Sequence, residues 1–148
     1  MLLVNARKGP SRIHGHGLIA REFIPAGTRI WELRPEFDVI LTEEQLSRLS
    51  PSAQEQVRYY CYGNYDASQR TYILSSDDDR FTNHSDEPNS ACVDETGRET
   101  VALRDIQPGE EITWDYRPWT NGEFLPSAES ETGRQESRPC CVTAERAP

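Results

Sequence analysis

The decapeptide RFTNHSDEPN, residues 80–89, sets the tightest limit on how this chain can fold. It holds two asparagines, a histidine, a serine and a proline, with acids on both sides. Asn, Asp, Ser and Pro favour turns and break helices, so the segment suits neither a long helix nor a core. Yet it closely follows TYIL at 71–74, whose composition is that of a strand. A capped surface loop would account for one Asn or one His. The density of this cluster favours a binding loop, the kind of segment that a rigid strand displays.

The rest of the chain reads as short strands and turns. GLIA and REFIPAGTRIWEL give strand, turn, strand, with Pro25-Ala26-Gly27 as the turn and Ile30, Trp31 and Leu33 as strand residues. VIL at 39–41 is another short strand. TEEQLSRL opens with a capping box, Thr42 at N-cap and Gln45 at N3. Ser50-Pro51 ends that helix, and Pro51 suits N1 of a second one running to Gly63. ACVDETGRETVALRDI has the pattern of a hairpin turned at Thr96-Gly97, QPGEE is a turn, and ITWDY is a closing strand. There are no internal repeats. After Trp119 the chain becomes rich in Ser, Glu, Pro and Gly without an apolar period, which predicts a disordered tail over 119–148. One domain over residues 1–118, mainly β with a helical insert at about 42–62, is the expected organisation for 148 residues.

Charge narrows the partners. The formal net charge is −9, which argues against nucleic acid. Residues 1–40 carry six basic and four acidic side chains, leaving ten basic and twenty-one acidic for the remainder. The acids at Asp77–Asp79 and Asp86-Glu87 bracket the motif. They read either as solvated surface or as an acidic rim that attracts a basic peptide. The apolar runs are too short to span a bilayer. MLLVNARKGP lacks the long apolar stretch and cleavage site of a signal peptide, so a cytoplasmic location without membrane partners is expected. Cys61, Cys92, Cys140 and Cys141 form no C-x-x-C pair, hence neither a disulfide framework nor a zinc pattern.

Three polar clusters carry the chemistry. HGHG, residues 14–17, precedes a strand; alone it reads best as a plain turn, and it is no dinucleotide fingerprint. NHSDEPN is the second. PGEEITWDY is the third, with Asp115-Tyr116 ending an apolar strand. Glu110-Glu111 read as a solvated edge. Taken together and in this order, Gly-x-Gly, then RFTNHSDEPN, then GEEITWDY, the chain over about residues 9–117 closely resembles the SET-domain protein-lysine methyltransferases. Its length is similar to that of the short bacterial members.

That resemblance implies a fold of several small curved sheets with a pseudoknot, where the segments near Asn83–Asn89 and Glu110–Tyr116 meet. It implies S-adenosylmethionine as methyl donor, held by Asn83, by His84 through backbone groups, by the turn Gly15, His16 and Gly17, and by Tyr116, which would be the catalytic tyrosine. Phe81, Tyr72 and Trp114 become candidates for a lysine channel, with Tyr60 and Tyr62 behind them. Only Phe81 matches a family motif; the others read as ordinary core before channel wall. The lysine amine must be neutral to attack, and an apolar channel lowers its pKa. In-line alignment then matters more than a general base.

The chain departs from the family in three places. Asp86 stands where a zinc-binding cysteine often follows Asn-His-Ser, and Cys140-Cys141 is adjacent and distant, so no structural zinc is expected. Acids replace the usual Gly-Asn before Arg-Phe, and no cysteine-rich segment precedes the domain. Trp119 or Phe124 would then be left to close the channel. Two rival readings are a SET-fold module that binds cofactor or a basic peptide without turnover, and a hydrolase using His84, Ser85 and an acid. Adjacent His and Ser on one loop rarely meet in triad geometry, and no nucleophile elbow is present.

Overall fold

The computed structural model describes residues 1–66, 69–93 and 97–117. The hairpin tip predicted at Thr96 and the predicted tail, with Trp119, Phe124, Cys140 and Cys141, lie outside the described residues.

Among the described residues ten short strands form three small sheets. The first runs β1 (Ala6–Pro10), β2 (His16–Ala20), β10 (Glu111–Trp114), β7 (Asn83–His84). The second is β3 (Arg29–Glu32), β9 (Glu99–Ala102), β8 (Ser90–Cys92), and the third β4 (Val39–Thr42), β6 (Gln69–Leu74), β5 (Tyr62–Asp66). β8 and β9 are the predicted antiparallel hairpin, with Ser90 opposite Ala102. The predicted turn at Pro25 closes with Thr28 N–H donating to Pro25 O at 3.1 Å, and QPGEE closes with Glu110 N–H on Gln107 O at 3.0 Å.

One apolar core joins the sheets. Leu18, Ala20, Ile24, Ile30, Trp31, Ile73, Ala102, Ile106 and Ile112 are buried together. A satellite core of Leu46, Val57, Cys61 and Tyr72 lies under the insert. There α1 (Glu43–Ser47) carries the predicted capping box, and α2 (Pro51–Tyr60) starts with Ser50 at N-cap and Pro51 at N1. The second helix stops three residues before the predicted end. Cys61 takes an extended conformation, and residues 62–66 join β6 as a strand instead. Aromatic residues favour strands, and ladder pairing with β6 outweighs one more helical turn. Among the described residues no helix is long and apolar enough to cross a membrane.

What positions the site is the middle of the first sheet. β10 pairs antiparallel with β2, Ile112 opposite Leu18, and parallel with β7, Thr113 beside Asn83 and Trp114 beside His84. The two polar segments expected to meet therefore lie side by side. The acidic run before them is tied into the fold. Asp78–Phe81 form a 3-10 helix capped by Asp77, whose Oδ1 accepts from Asp79 N–H at 3.1 Å. Asp77 Oδ2 also accepts from Leu2 N–H at 2.6 Å, and Asp78 Oδ2 from Lys8 N–H at 2.9 Å. These acids stitch the helix to the N-terminal strand.

Candidate active site

Asn83 is the hub of the first half of the site. Its Nδ2 lies 2.9 Å from His16 O, 3.2 Å from His14 O, 2.8 Å from Glu111 Oε1 and 3.1 Å from Ser11 Oγ. Every heavy-atom partner of that amide nitrogen can accept, which assigns the amide its orientation. The Ser11 hydroxyl reaches Glu111 Oε2 at 2.8 Å and accepts from the N–H groups of Ile13 and His14. The turn before β2, with Gly15 at φ 48°, is thereby fixed to β7 and β10. Neither Ser11 nor the role of Glu111 is legible in the sequence, where Glu111 reads as part of a solvated edge. The serine turn was the available signal: a hydroxyl followed two and three residues on by backbone donors.

Gly17 is required by the same carboxylate. A Cβ on Gly17 would sit 2.1 Å from Glu111 Oε1 and 2.5 Å from its carboxyl carbon. Gly17→Ala is therefore expected to expel Glu111 from the Asn83 network and to destabilise the fold by about 1–3 kcal/mol, as overpacked substitutions do. Urea unfolding of the variant checks this; an unchanged midpoint would contradict it.

The second half is built on His84 and Tyr116. His84 Nδ1 accepts from Tyr116 N–H at 3.1 Å, which places the proton of the neutral ring on Nε2, toward Asp86 Oδ1 3.6 Å away. The side chain is 8% exposed and its ring lies 5.4 Å from that of Tyr116. The Tyr116 hydroxyl donates to Thr82 O. Arg117 grips Asp115 through Nε and Nη2 and meets Asp86 at 3.2 Å, so the position at which the family's zinc cysteine is absent is tied by an ion pair. Burial alone would raise the Asp115 carboxyl, but the hydrogen bonds and the charge of Arg117 hold it below its ordinary range. Glu110 behaves alike: burial raises it, and the Arg104, Gln107 and Asn89 donors outweigh that and lower it.

Asn89 supports both halves from behind. It is 1% exposed, and its Oδ1 accepts from Thr113 N–H at 2.8 Å while Nδ2 donates to Glu111 O at 2.8 Å. Its side chain thus completes the hydrogen bonding of β10, which places it in the framework.

Beside Tyr116 opens a cavity of about 50 Å³ walled by Trp31, Tyr60, Asp79, Thr82, Trp114 and Tyr116 among others. Trp114, a channel candidate, lies on this wall with its ring 6.2 Å from Tyr116. Tyr60 is there as well. Phe81 is placed at the edge of the site instead, with His16 at 6.3 Å, Tyr60 at 5.9 Å and the Lys8 ammonium 4.8 Å above its ring. Tyr72 does not come to the cavity: it is buried in the satellite core with its hydroxyl on Glu43. Alternation along β6 sends its side chain to the insert.

Asp79 keeps some surface open to the cavity, yet so many protein atoms surround its carboxyl that desolvation pushes it up to about 7, against the Ser75 hydrogen bond. The native state then holds a proton that the unfolded chain, at 3.8, has already lost. Its contribution to stability is complete below the unfolded value and disappears as pH rises through about 7. Asp79→Asn removes this dependence. The variant should gain stability over the parent between those two pH values and keep a constant lead above them. Melting curves of both proteins across that range test it; parallel curves would contradict it.

Comparison with known proteins identifies the family. The sequence model of the SET domain matches residues 15–117. The chain is 33% identical over 135 residues to Histone-lysine N-methyltransferase TRX1 of Oryza sativa subsp. japonica, covering 80% of this chain and 12% of that protein. It is 33% identical over 121 residues to Histone-lysine N-methyltransferase trithorax of Drosophila virilis, covering 78% of this chain and 3% of that protein. The chain thus spans a small fraction of the curated relatives it matches. Its fold is similar to part of a humanized mutant of the Chaetomium thermophilum Polycomb Repressive Complex 2, solved with an inhibitor: TM-score 0.59, 19% identity, 78% of this chain and 15% of that one. With small strand-rich sheets, a parallel β7–β10 junction and a family match over residues 15–117, this chain belongs to the SET-domain family.

Proposed function

We propose that the protein transfers a methyl group from S-adenosylmethionine to the side-chain amine of a lysine in a protein substrate. The observation that carries this reading is the Tyr116 hydroxyl, pinned to Thr82 O and opening on a cavity beside the Asn83 hub. Asn83 Nδ2 fills the point where His14 O, His16 O and the Glu111 carboxylate converge, and the negative potential of these acceptors favours a positive group beside them, such as the ammonium of the donor's amino-acid end. Asn83, the backbone of His84 and the turn Gly15, His16 and Gly17 are the groups that would hold it. When bound, S-adenosylmethionine supplies a methyl already activated on a sulfonium.

The chain's own residues do the rest. A free lysine amine has a pKa of about 10.4 and must be neutral to attack. Among Ile30, Trp31, Ile112 and Trp114 on the cavity wall the ammonium is disfavoured, which lowers that value. Donation to Thr82 turns the lone pairs of the Tyr116 oxygen away from that carbonyl, and a positive group bound in the cavity would be stabilised by them.

Melting in the presence of S-adenosylmethionine tests the cofactor half. A ligand that binds only the folded state at a hundred times its Kd adds about 2.7 kcal/mol, so Tm should rise measurably. No rise at millimolar ligand would overturn the assignment.

The substrate half has its own test. Asp86 and Glu87 are exposed on the loop after β7, and the chain carries a net charge of −9, so a substrate basic around its lysine is favoured. Raising salt should then raise KM more than it lowers kcat, because screening weakens encounter. A KM indifferent to salt would remove the electrostatic preference.

A further inference from the structure

The cavity beside Tyr116 holds a charged group that alignment of donor and amine does not use. Asp79 lies on its wall with Tyr60, Arg80, Thr82 and Trp114. The buried Ser75 hydroxyl donates to Asp79 Oδ2 at 2.9 Å. Among the described residues no donor meets Oδ1, and no arginine or lysine pairs with the carboxyl. Arg80 commits Nε and Nη2 to the carbonyls of Asp77 and Ser76, at 3.0 and 2.8 Å. A carboxylate without a paired cation in so desolvated a place is unfavourable. A cationic donor entering the cavity relieves it.

Resting on the lysine-methyltransferase reading, we propose that Asp79 is the counter-ion and proton acceptor for the substrate lysine in this cavity. The lysine arrives as an ammonium, which has no lone pair. One N–H bond breaks and leaves its electron pair on Nζ, while an O–H bond forms on the Asp79 carboxylate. The cavity then contains a neutral amine and a neutral carboxylic acid. The acid returns its proton to solvent and the carboxylate is restored. The sequence reading gave deprotonation to apolar surroundings alone; the wall adds a base to them. Burial, which brings the Asp79 carboxyl up to about 7, brings it closer to the amine it serves. Asp77 and Asp38 push the same way and the N-terminal ammonium opposes them, while Tyr60, Arg80, Cys92 and Tyr116 are the other ionisable groups on the wall.

The test is Asp79→Asn, which keeps the shape and an oxygen for Ser75. Its kcat/KM on core histones, and on a total cell lysate in parallel, is compared with the parent's from about pH 6 to about pH 10, a range that brackets the free lysine value. Near neutrality the variant should be about 10²-fold slower, the scale of one lost proton acceptor, and the gap should close as pH approaches the amine's own pKa. A structural lesion would lower the whole profile by a constant factor. The Tm rise with S-adenosylmethionine should be the same for both proteins, and Asp79→Ser should show the same closing gap if the Asn variant does not fold. Parallel profiles, or equal rates near neutrality, overturn the proposal while leaving the methyltransferase reading intact. A parent that methylates no lysine in either substrate overturns both.

Discussion

Replacing Tyr116 by Phe is expected to lower kcat about 10²-fold, the scale of losing one preorganised polar group. The affinity for S-adenosylmethionine should stay within a few fold, because the substitution removes one oxygen and keeps the ring against His84 and Trp114. A loss confined to the transition state appears in kcat and kcat/KM together. The variant also leaves Thr82 O without its phenol donor, at a cost on the order of 1 kcal/mol of stability. Melting measures that cost separately from the rate. A module that binds without turning over has no rate to lose, so the same variant separates the two readings. Transfer at the parent rate would remove Tyr116 from catalysis even with the fold correct.

The second large effect is on stability. Asn89→Ala strips Thr113 N–H and Glu111 O of their partner in the middle of β10. Each buried backbone group left unsatisfied costs about 1–3 kcal/mol, so the variant with two of them should lose about 2–6 kcal/mol. That is a large share of what holds a small domain together. Because β10 also carries Glu111 and leads into Tyr116, S-adenosylmethionine affinity should fall with it. Urea unfolding decides: a loss under about 1 kcal/mol would mean that water or a shifted Gln107–Glu111 turn replaces the amide.

Local signals made much of this legible in advance. The capping box at Thr42, Pro51 at N1 and the β8–β9 hairpin are written in neighbouring residues, and the structure has all three. β1 was not legible: ARKGP holds two cations, a glycine and a proline, and is a strand because β2 pairs with it from Ala6–Ala20 to Pro10–His16. The end of α2 was misjudged for the same reason, since pairing with β6 is not visible in YYCY. In the site, Asn83, His84 and Tyr116 stood out as a motif. Ser11 and Glu111 did not, because a hydroxyl and a carboxylate one hundred residues apart leave no spacing to read. The three aspartates 77–79 look identical along the chain. Only the fold decides that Asp77 caps, Asp78 binds Lys8 N–H and Asp79 turns to the cavity. Tyr72 shows the converse: an aromatic on a strand is placed by which face the insert covers.

The central claim is methyl transfer to lysine, and one measurement addresses it directly. Incubating the protein with labelled S-adenosylmethionine and a cell lysate, then digesting and sequencing the labelled peptides by mass spectrometry, locates every transferred methyl. The account predicts label on lysine side-chain amines, in peptides rich in basic residues, and its loss with Tyr116→Phe. No label above that of a protein-free control, or label on residues other than lysine, would contradict it.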